Sequence, residues 1–252
     1  MPRFDQIETV SQVIAAGGSN MAFSAVRPDK LKSNLVNLVT VVVDVSGSVV
    51  NFANDLLRMV VSVAEGCKKH PDLIDNVVLR YTNFNQDVYE VQGFAQFHTI
   101  DVNSYPALVP CGQTALYRAT MDAIAATSEY AKQVVGSGRT ANATIFVITD
   151  GVENASGSRF TAKGIAEAMD TLRSEETTES ALTFLIGINA DNSTVADHLQ
   201  KFAVDARFDA YETAKDVDIE KLGSWIYRSI QMQSQALGSG QSSTVIPFNG
   251  KL

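Results

Sequence analysis

Three short stretches carry oxygen-bearing side chains in patterns that suit a hard metal cation. In "DVSGS", Asp44, Ser46 and Ser48 put one polar oxygen at every second residue. In "PCGQTALYRA", Gly112 and Thr114 immediately precede a helical pattern, and in "ITDGVEN", Asp150 is followed by Gly151, which permits a sharp turn. Together they offer two carboxylates, three hydroxyls and no soft ligand. Oxygen-only sets suit Mg²⁺, Ca²⁺ or Mn²⁺. So few carboxylates favour Mg²⁺ with retained waters, with Mn²⁺ as a substitute; Ca²⁺ ranks lower because it usually takes more carboxylate and carbonyl ligands. Each stretch alone reads as an ordinary turn, since Ser, Thr and Asp-Gly are common turn residues. It is their joint occurrence at strand ends that points to a site.

The surrounding pattern supplies those strand ends. "LVNLVTVVVDV" (35–45) and "ATIFVITD" are continuous apolar runs, as expected of strands buried on both faces. Between them, Phe52, Leu56, Met59, Val60, Val63 and Cys67 fall on one helical face. "NVVLRYTNF" and "DVYEV" are joined by too few residues for a helical crossover and read as an antiparallel hairpin. Further along come a helix over "ALYRATMDAIAATSEYAKQVV", a helix over "TAKGIAEAMDTLRSE", the strand "ALTFLIGIN", the helix "STVADHLQKFA" and the short strand "RFDAYE". A closing helix, 217–235, places Ile219, Leu222, Ile226 and Ile230 on one face. This alternation predicts an α/β, doubly wound, mostly parallel sheet of six strands, one of them an antiparallel edge strand, with helices on both faces. Residues 35–235 form the domain. Residues 1–34 are an N-terminal extension in which "IETVSQVIAA" reads as a short helix. Residues 236–252 are a Gly/Ser-rich tail whose "TVIPF" is suited to docking. In such sheets ligands sit beyond the carboxyl ends of the strands, where the three oxygen-bearing stretches fall.

The "DVSGS" stretch, the Thr114 loop and "TDG", in that order and at successive strand ends, closely resemble the metal-ion-dependent adhesion site of the von Willebrand factor type A (vWA) domain, over roughly 37–235. The "FLIGIN" strand resembles the family's fifth strand. Val49, where the family often has Met, and Cys111, where it often has a small residue, are mild departures that remove no ligand. The resemblance implies that Ser46 and Ser48 bind the metal directly, that Thr114 binds it directly or through water, and that Asp44 and Asp150 act mainly through waters and hydrogen bonds. It also implies a cytosolic module that does no chemistry of its own and captures an Asp or Glu carboxylate of a partner protein on the metal.

Two other readings fit the residues less well. A Mg²⁺-dependent phosphoryl-transfer hydrolase would need a nucleophilic Asp followed two residues later by an acid/base carboxylate, but that position is Ser46, and no GxxxxGK[ST] loop is present. A purely structural subunit would have no reason to keep all five oxygen-bearing side chains. The net charge of −8 argues against nucleic acid as a partner. No apolar run reaches membrane-spanning length, and "VIAA" is too short for a signal-peptide core, so the expected location is cytoplasmic. Cys67 and Cys111 belong to no CxxC or Cys/His pattern, which excludes a zinc cluster and predicts free thiols, Cys67 in the core. Glu153 reads as a solvated loop charge and Trp225 as a packing residue.

Overall fold

A computed structural model of the chain describes residues 12–15, 22–174, 177–190, 193–237, 239 and 243–248. The central strand is β3 (Leu35–Asp44), counting after two short strands, β1 (Gln12–Ala15) and β2 (Ala22–Ala25). It is followed by helix α1 (Ala53–Lys68), a single turn α2 (Pro71–Ile74), strands β4 (Val77–Phe84) and β5 (Val88–Gln96), and helix α3 (Leu116–Gly136). Then come β6 (Thr140–Thr149), α4 (Ala162–Leu172), β7 (Ser180–Ile188), α5 (Ser193–Asp205), β8 (Ala210–Ala214) and α6 (Ile219–Ala236). The sheet order is β1-β2-β5-β4-β3-β6-β7-β8. Strands β4, β3, β6, β7 and β8 run parallel, as right-handed crossovers require, and β5 returns antiparallel beside β4.

The six expected strands are β3 to β8. The sheet continues past the hairpin, however, so β5 is not an edge. Strand β2 pairs parallel with β5 at Ala25 and Phe94, and β1 pairs antiparallel with β2. The helix expected over "IETVSQVIAA" is therefore corrected over Gln12–Ala15, which is a strand; residues 1–11 lie outside the described residues. What ties β2 down is an ionic network centred on the buried Arg80. Arg80 on β4 donates to Glu90 at 3.0 Å and to Asp122 on α3 at 2.9 Å, and Glu90 accepts from Ser24 N at 2.8 Å. The guanidinium has left water, so its two carboxylates are needed to offset its desolvation.

The alternation of β3 divides the core. Val39, Val41 and Val43 face α1 and α6, where Leu56, Met59, Val63, Leu222 and Ile226 are buried. Val42 faces the opposite layer, with Ile145, Val147 and Leu185 of the sheet packed against α3, α4 and α5. The predicted apolar faces of α1 and α6 are all buried, as is Cys67. Trp225 packs edge-on to Phe146 and Phe184 and donates its indole N–H to Ile246 O at 2.9 Å. Phe248 meets the same indole, so residues 243–248 lie against α6. Among the described residues no helix is long and apolar enough to cross a membrane.

The two thiols differ sharply in burial. Burial pushes the Cys67 thiol up to about 12, whereas Cys111 is exposed in the loop before α3. Native protein should therefore take up one equivalent of a thiolate-specific reagent at Cys111, and the second only on unfolding. Mass spectrometry of the labelled native protein checks this; rapid double labelling would contradict the burial of Cys67.

Candidate functional site

The site begins at the end of β3, which is paired along its length with β4 on one side and β6 on the other. The last residue, Asp44, is 1% exposed. Its Oδ1 accepts from Ser46 N at 2.8 Å and its Oδ2 from the Thr149 hydroxyl at 2.6 Å, which ties the end of β3 to the end of β6. The chain then enters a short 3₁₀ turn, Gly47–Asn51. This turn brings Ser46 Oγ and Ser48 Oγ to 3.0 Å, and Ser48 donates to Asp150 Oδ1 at 2.6 Å. A Cβ added to Gly151 would lie 3.3 Å from Thr114 Oγ1 and 3.9 Å from Ser48 Oγ, so the turn after β6 sits against both hydroxyls. The structure thus brings Asp44, Ser46, Ser48, Thr114 and Asp150 together at the carboxyl end of the sheet.

The Thr114 loop is held from three sides. Gly47 N donates to Gly112 O at 3.2 Å, Cys111 N to Val45 O at 3.0 Å, and Ala115 N to Asn85 O at 2.7 Å. Gly112 has φ +75°, a left-handed conformation that favours glycine, whereas a Cβ there would only displace the mobile end of Gln86. Thr114 and Asn154 exchange bonds: Thr114 N donates to Asn154 Oδ1 at 2.8 Å, and Asn154 N to Thr114 O at 3.0 Å.

Glu153, read from sequence as a solvated charge, is instead a structural residue of the site. Its Oε2 accepts from Tyr117 N at 2.8 Å and from the Ser156 hydroxyl at 2.6 Å, while Oε1 accepts from Ala155 N and Ser156 N. Ser156 Oγ in turn accepts from Arg118 N at 2.9 Å. Helix α3 starts at Ala115, which has no capping side chain. Glu153 and Ser156 supply the missing acceptors from the loop after β6, and the negative charge also suits the helix N-terminus. An uncapped α3 was the one sign in the sequence that a distant residue must do this.

Electrostatics favour a cation here. Burial pushes the Asp44 carboxyl up to about 6; bonds from Thr149 and Ser46 pull it down, and the charge of Asp150 adds to the rise. Burial also raises Asp150, against the bond from Ser48. Among the described residues neither carboxylate has a Lys or Arg partner. Nor are three or more His, Cys, Asp or Glu side chains grouped among the described residues so as to hold a metal ion by themselves. A site here would rest on two carboxylates with neutral hydroxyls, a donor set that fits Mg²⁺ or Mn²⁺ with retained waters.

No family model matches the sequence, nor does any curated protein. Solved structures do match. The vWF domain of the type V pili tip protein Mfa5 from Porphyromonas gingivalis superposes with TM-score 0.56 at 10% identity, covering 86% of this chain and 100% of that one. The PilB minor pilin from Streptococcus sanguinis gives 0.55 at 14%, covering 88% and 67%. A von Willebrand factor type A protein from Catenulispora acidiphila gives 0.52 at 12%, covering 84% of this chain but only 44% of its own. These likenesses define the fold: the chain has the Rossmann-like fold of vWA domains.

Two expectations follow. In the folded protein the Asp44 proton is held more tightly than at the ordinary 3.8. Its contribution to stability is therefore full below about pH 4 and is lost as pH rises through about 6, on the order of 2–3 kcal/mol. In EDTA, Asp44→Asn should flatten this part of the stability–pH curve; denaturant titrations between about pH 4 and pH 7 read it out. Glu153→Ala should cost about 1–2 kcal/mol by removing the acceptor at the start of α3. Glu153→Gln, which keeps an oxygen, should cost less. Equal, negligible losses for both would overturn the capping role.

Proposed function

We propose that the chain is a divalent-metal-dependent protein-binding module that does no chemistry of its own. The observation that carries this reading is the convergence of Ser46, Ser48, Thr114 and Asp150 around a buried Asp44 that no cationic side chain among the described residues neutralises. Mg²⁺, or Mn²⁺ in its place, would supply a concentrated positive charge able to attract the Asp or Glu carboxylate of a partner protein. Ser46, Ser48 and Thr114 would offer it neutral oxygens, leaving most of that charge undiminished. Asp44 would act from behind: both its oxygens are engaged, by Ser46 N and Thr149, and so it orients the Ser46 turn. Asp150, bonded to Ser48, would orient that hydroxyl. The fold shared with a pilus tip domain and a minor pilin supports a binding role over an enzymatic one.

The reading separates Asp44 from Thr114 by experiment. Saturating Mg²⁺ should raise the melting temperature of the wild type, since a ligand at a hundredfold excess over Kd adds about 2.7 kcal/mol to stability. Asp44→Ala should lose both this shift and retention on an immobilised Asp-containing peptide. Thr114→Ala should keep much of the Mg²⁺ affinity, measured calorimetrically, yet lose the peptide. If Mg²⁺ leaves the wild-type melting curve unmoved, the metal assignment is wrong. Undiminished peptide binding by Thr114→Ala would make any metal there structural, not a recognition element.

A further inference from the structure

Beside the candidate metal site lies a groove of about 450 Å³, a size typical of ligand pockets. It is continuous with the site, because Val45 and Cys111, both in its wall, belong to the two loops that carry Ser46 and Thr114 and are bonded to each other. The rest of the wall is largely apolar: Val91, Leu108 and Val109, the last 74% exposed. A valine this exposed beside further apolar wall is the kind of surface that proteins use for contact. Glu90 also lines the groove, but its carboxylate is committed to Arg80 and Ser24, so it does not present a free charge.

The floor carries a second, independent sign of an occupant. Asn83 lines the groove, is 8% exposed, and its Oδ1 has no hydrogen-bond partner. Tyr81 and Tyr105, whose rings are 5.3 Å apart, have buried hydroxyls that also lack partners. Asn83 and the Tyr81 hydroxyl are neighbours, and a small shift would pair them. A buried acceptor left unmade costs about 1–3 kcal/mol. Asn83 Oδ1 is closed to solvent, so a donor brought in by a ligand would recover that cost only once the amide turns into the groove. No cation lines the groove, so it does not suit a second anion; it suits an apolar side chain accompanied by a backbone N–H.

Resting on the metal-dependent reading above, we propose that this groove is the specificity subsite of the same surface. It takes a bulky apolar side chain located within a few residues of the partner's carboxylate, in an extended peptide segment whose N–H meets the Asn83 amide once that amide turns into the groove. The metal site then selects for the acid and the groove selects among acidic segments.

The test uses the full chain in Mg²⁺ with fluorescent synthetic peptides that carry one Asp flanked by Leu, Phe, Gly or Lys, read by anisotropy. Leu and Phe peptides should bind about tenfold more tightly than the Gly peptide, the scale expected for burying one such side chain. Val109→Asn, a neutral change at an exposed position, should sharply weaken this preference while leaving Mg²⁺ affinity and binding of the Gly peptide unchanged. In amide spectra the Leu peptide should shift Asn83, Leu108 and Val109 in addition to Ser46, Ser48 and Thr114. Equal Mg²⁺-dependent binding of all four peptides, with shifts confined to the metal loops, would overturn the groove and leave the metal reading standing. Binding of the apolar peptides that persists in EDTA and in Asp44→Ala would overturn the metal reading and show the groove acting alone. Absence of any peptide binding or spectral shift would overturn both.

Discussion

The site depends on one buried carboxylate. Asp44 is out of water at the end of the central strand, held by the Ser46 N–H and by the Thr149 and Ser46 side chains. Burying a charge is costly unless it is paired and hydrogen-bonded. Here the hydrogen bonds are present but no Lys or Arg among the described residues pairs with it, so the end of the sheet carries a local electrostatic deficit. The strand cannot relax it, because β3 is locked in register by β4 and by β6 and its side chains fill both core layers. Close-packed interiors resist such shifts. The deficit is therefore held in place until a cation or a proton answers it.

Around this point three loops brace one another. Ser46 and Ser48 reach Asp150, the turn at Gly151 sits against Thr114, and Thr114 exchanges bonds with Asn154. Glu153 and Ser156 then tie the loop after β6 to the start of α3, the helix that Thr114 introduces. The loops answer one another's backbone polar groups as well as their own, as at Gly47–Gly112, Cys111–Val45 and Thr114–Asn154. Such mutual support holds hydroxyls in a preset arrangement without spending extra charge on them. It also couples the loops: a change at Asp150 is felt at Ser48, and one at Glu153 is felt at the first turn of α3.

The parts legible in the sequence were those with local causes. Strands β3, β6 and β7 announce themselves as unbroken apolar runs because they are buried on both faces, and α1 and α6 show their apolar faces by spacing. The five oxygen-bearing residues of the proposed site stood out in the sequence because four of them follow or end β3 and β6 and Thr114 comes just before α3. Strands β1 and β2 were not, since four residues such as "AFSA" carry little periodicity and β2 owes its place to Glu90 and Arg80 far along the chain. Glu153 was misread for the same reason: its partner at Tyr117 lies 36 residues away, and nothing adjacent to it reports that contact. The groove was invisible because Val45, Asn83, Val91 and Val109 come from separate segments that only the hairpin and the following loop bring together.

Charge on the larger scale sharpens what the proposed site must do. The chain carries a net −8, so its overall field repels an acidic segment before contact. Screening confines that repulsion to about 8 Å at physiological salt. Inside that distance the proposed metal charge, backed by neutral hydroxyls, dominates, and the apolar wall of the groove adds a contribution that salt does not weaken. Attraction would thus be short-ranged and geometric, not a product of long-range steering. A surface built this way discriminates by fit at contact, because an acidic segment with nothing apolar to seat gains the metal contact alone against the same repulsion.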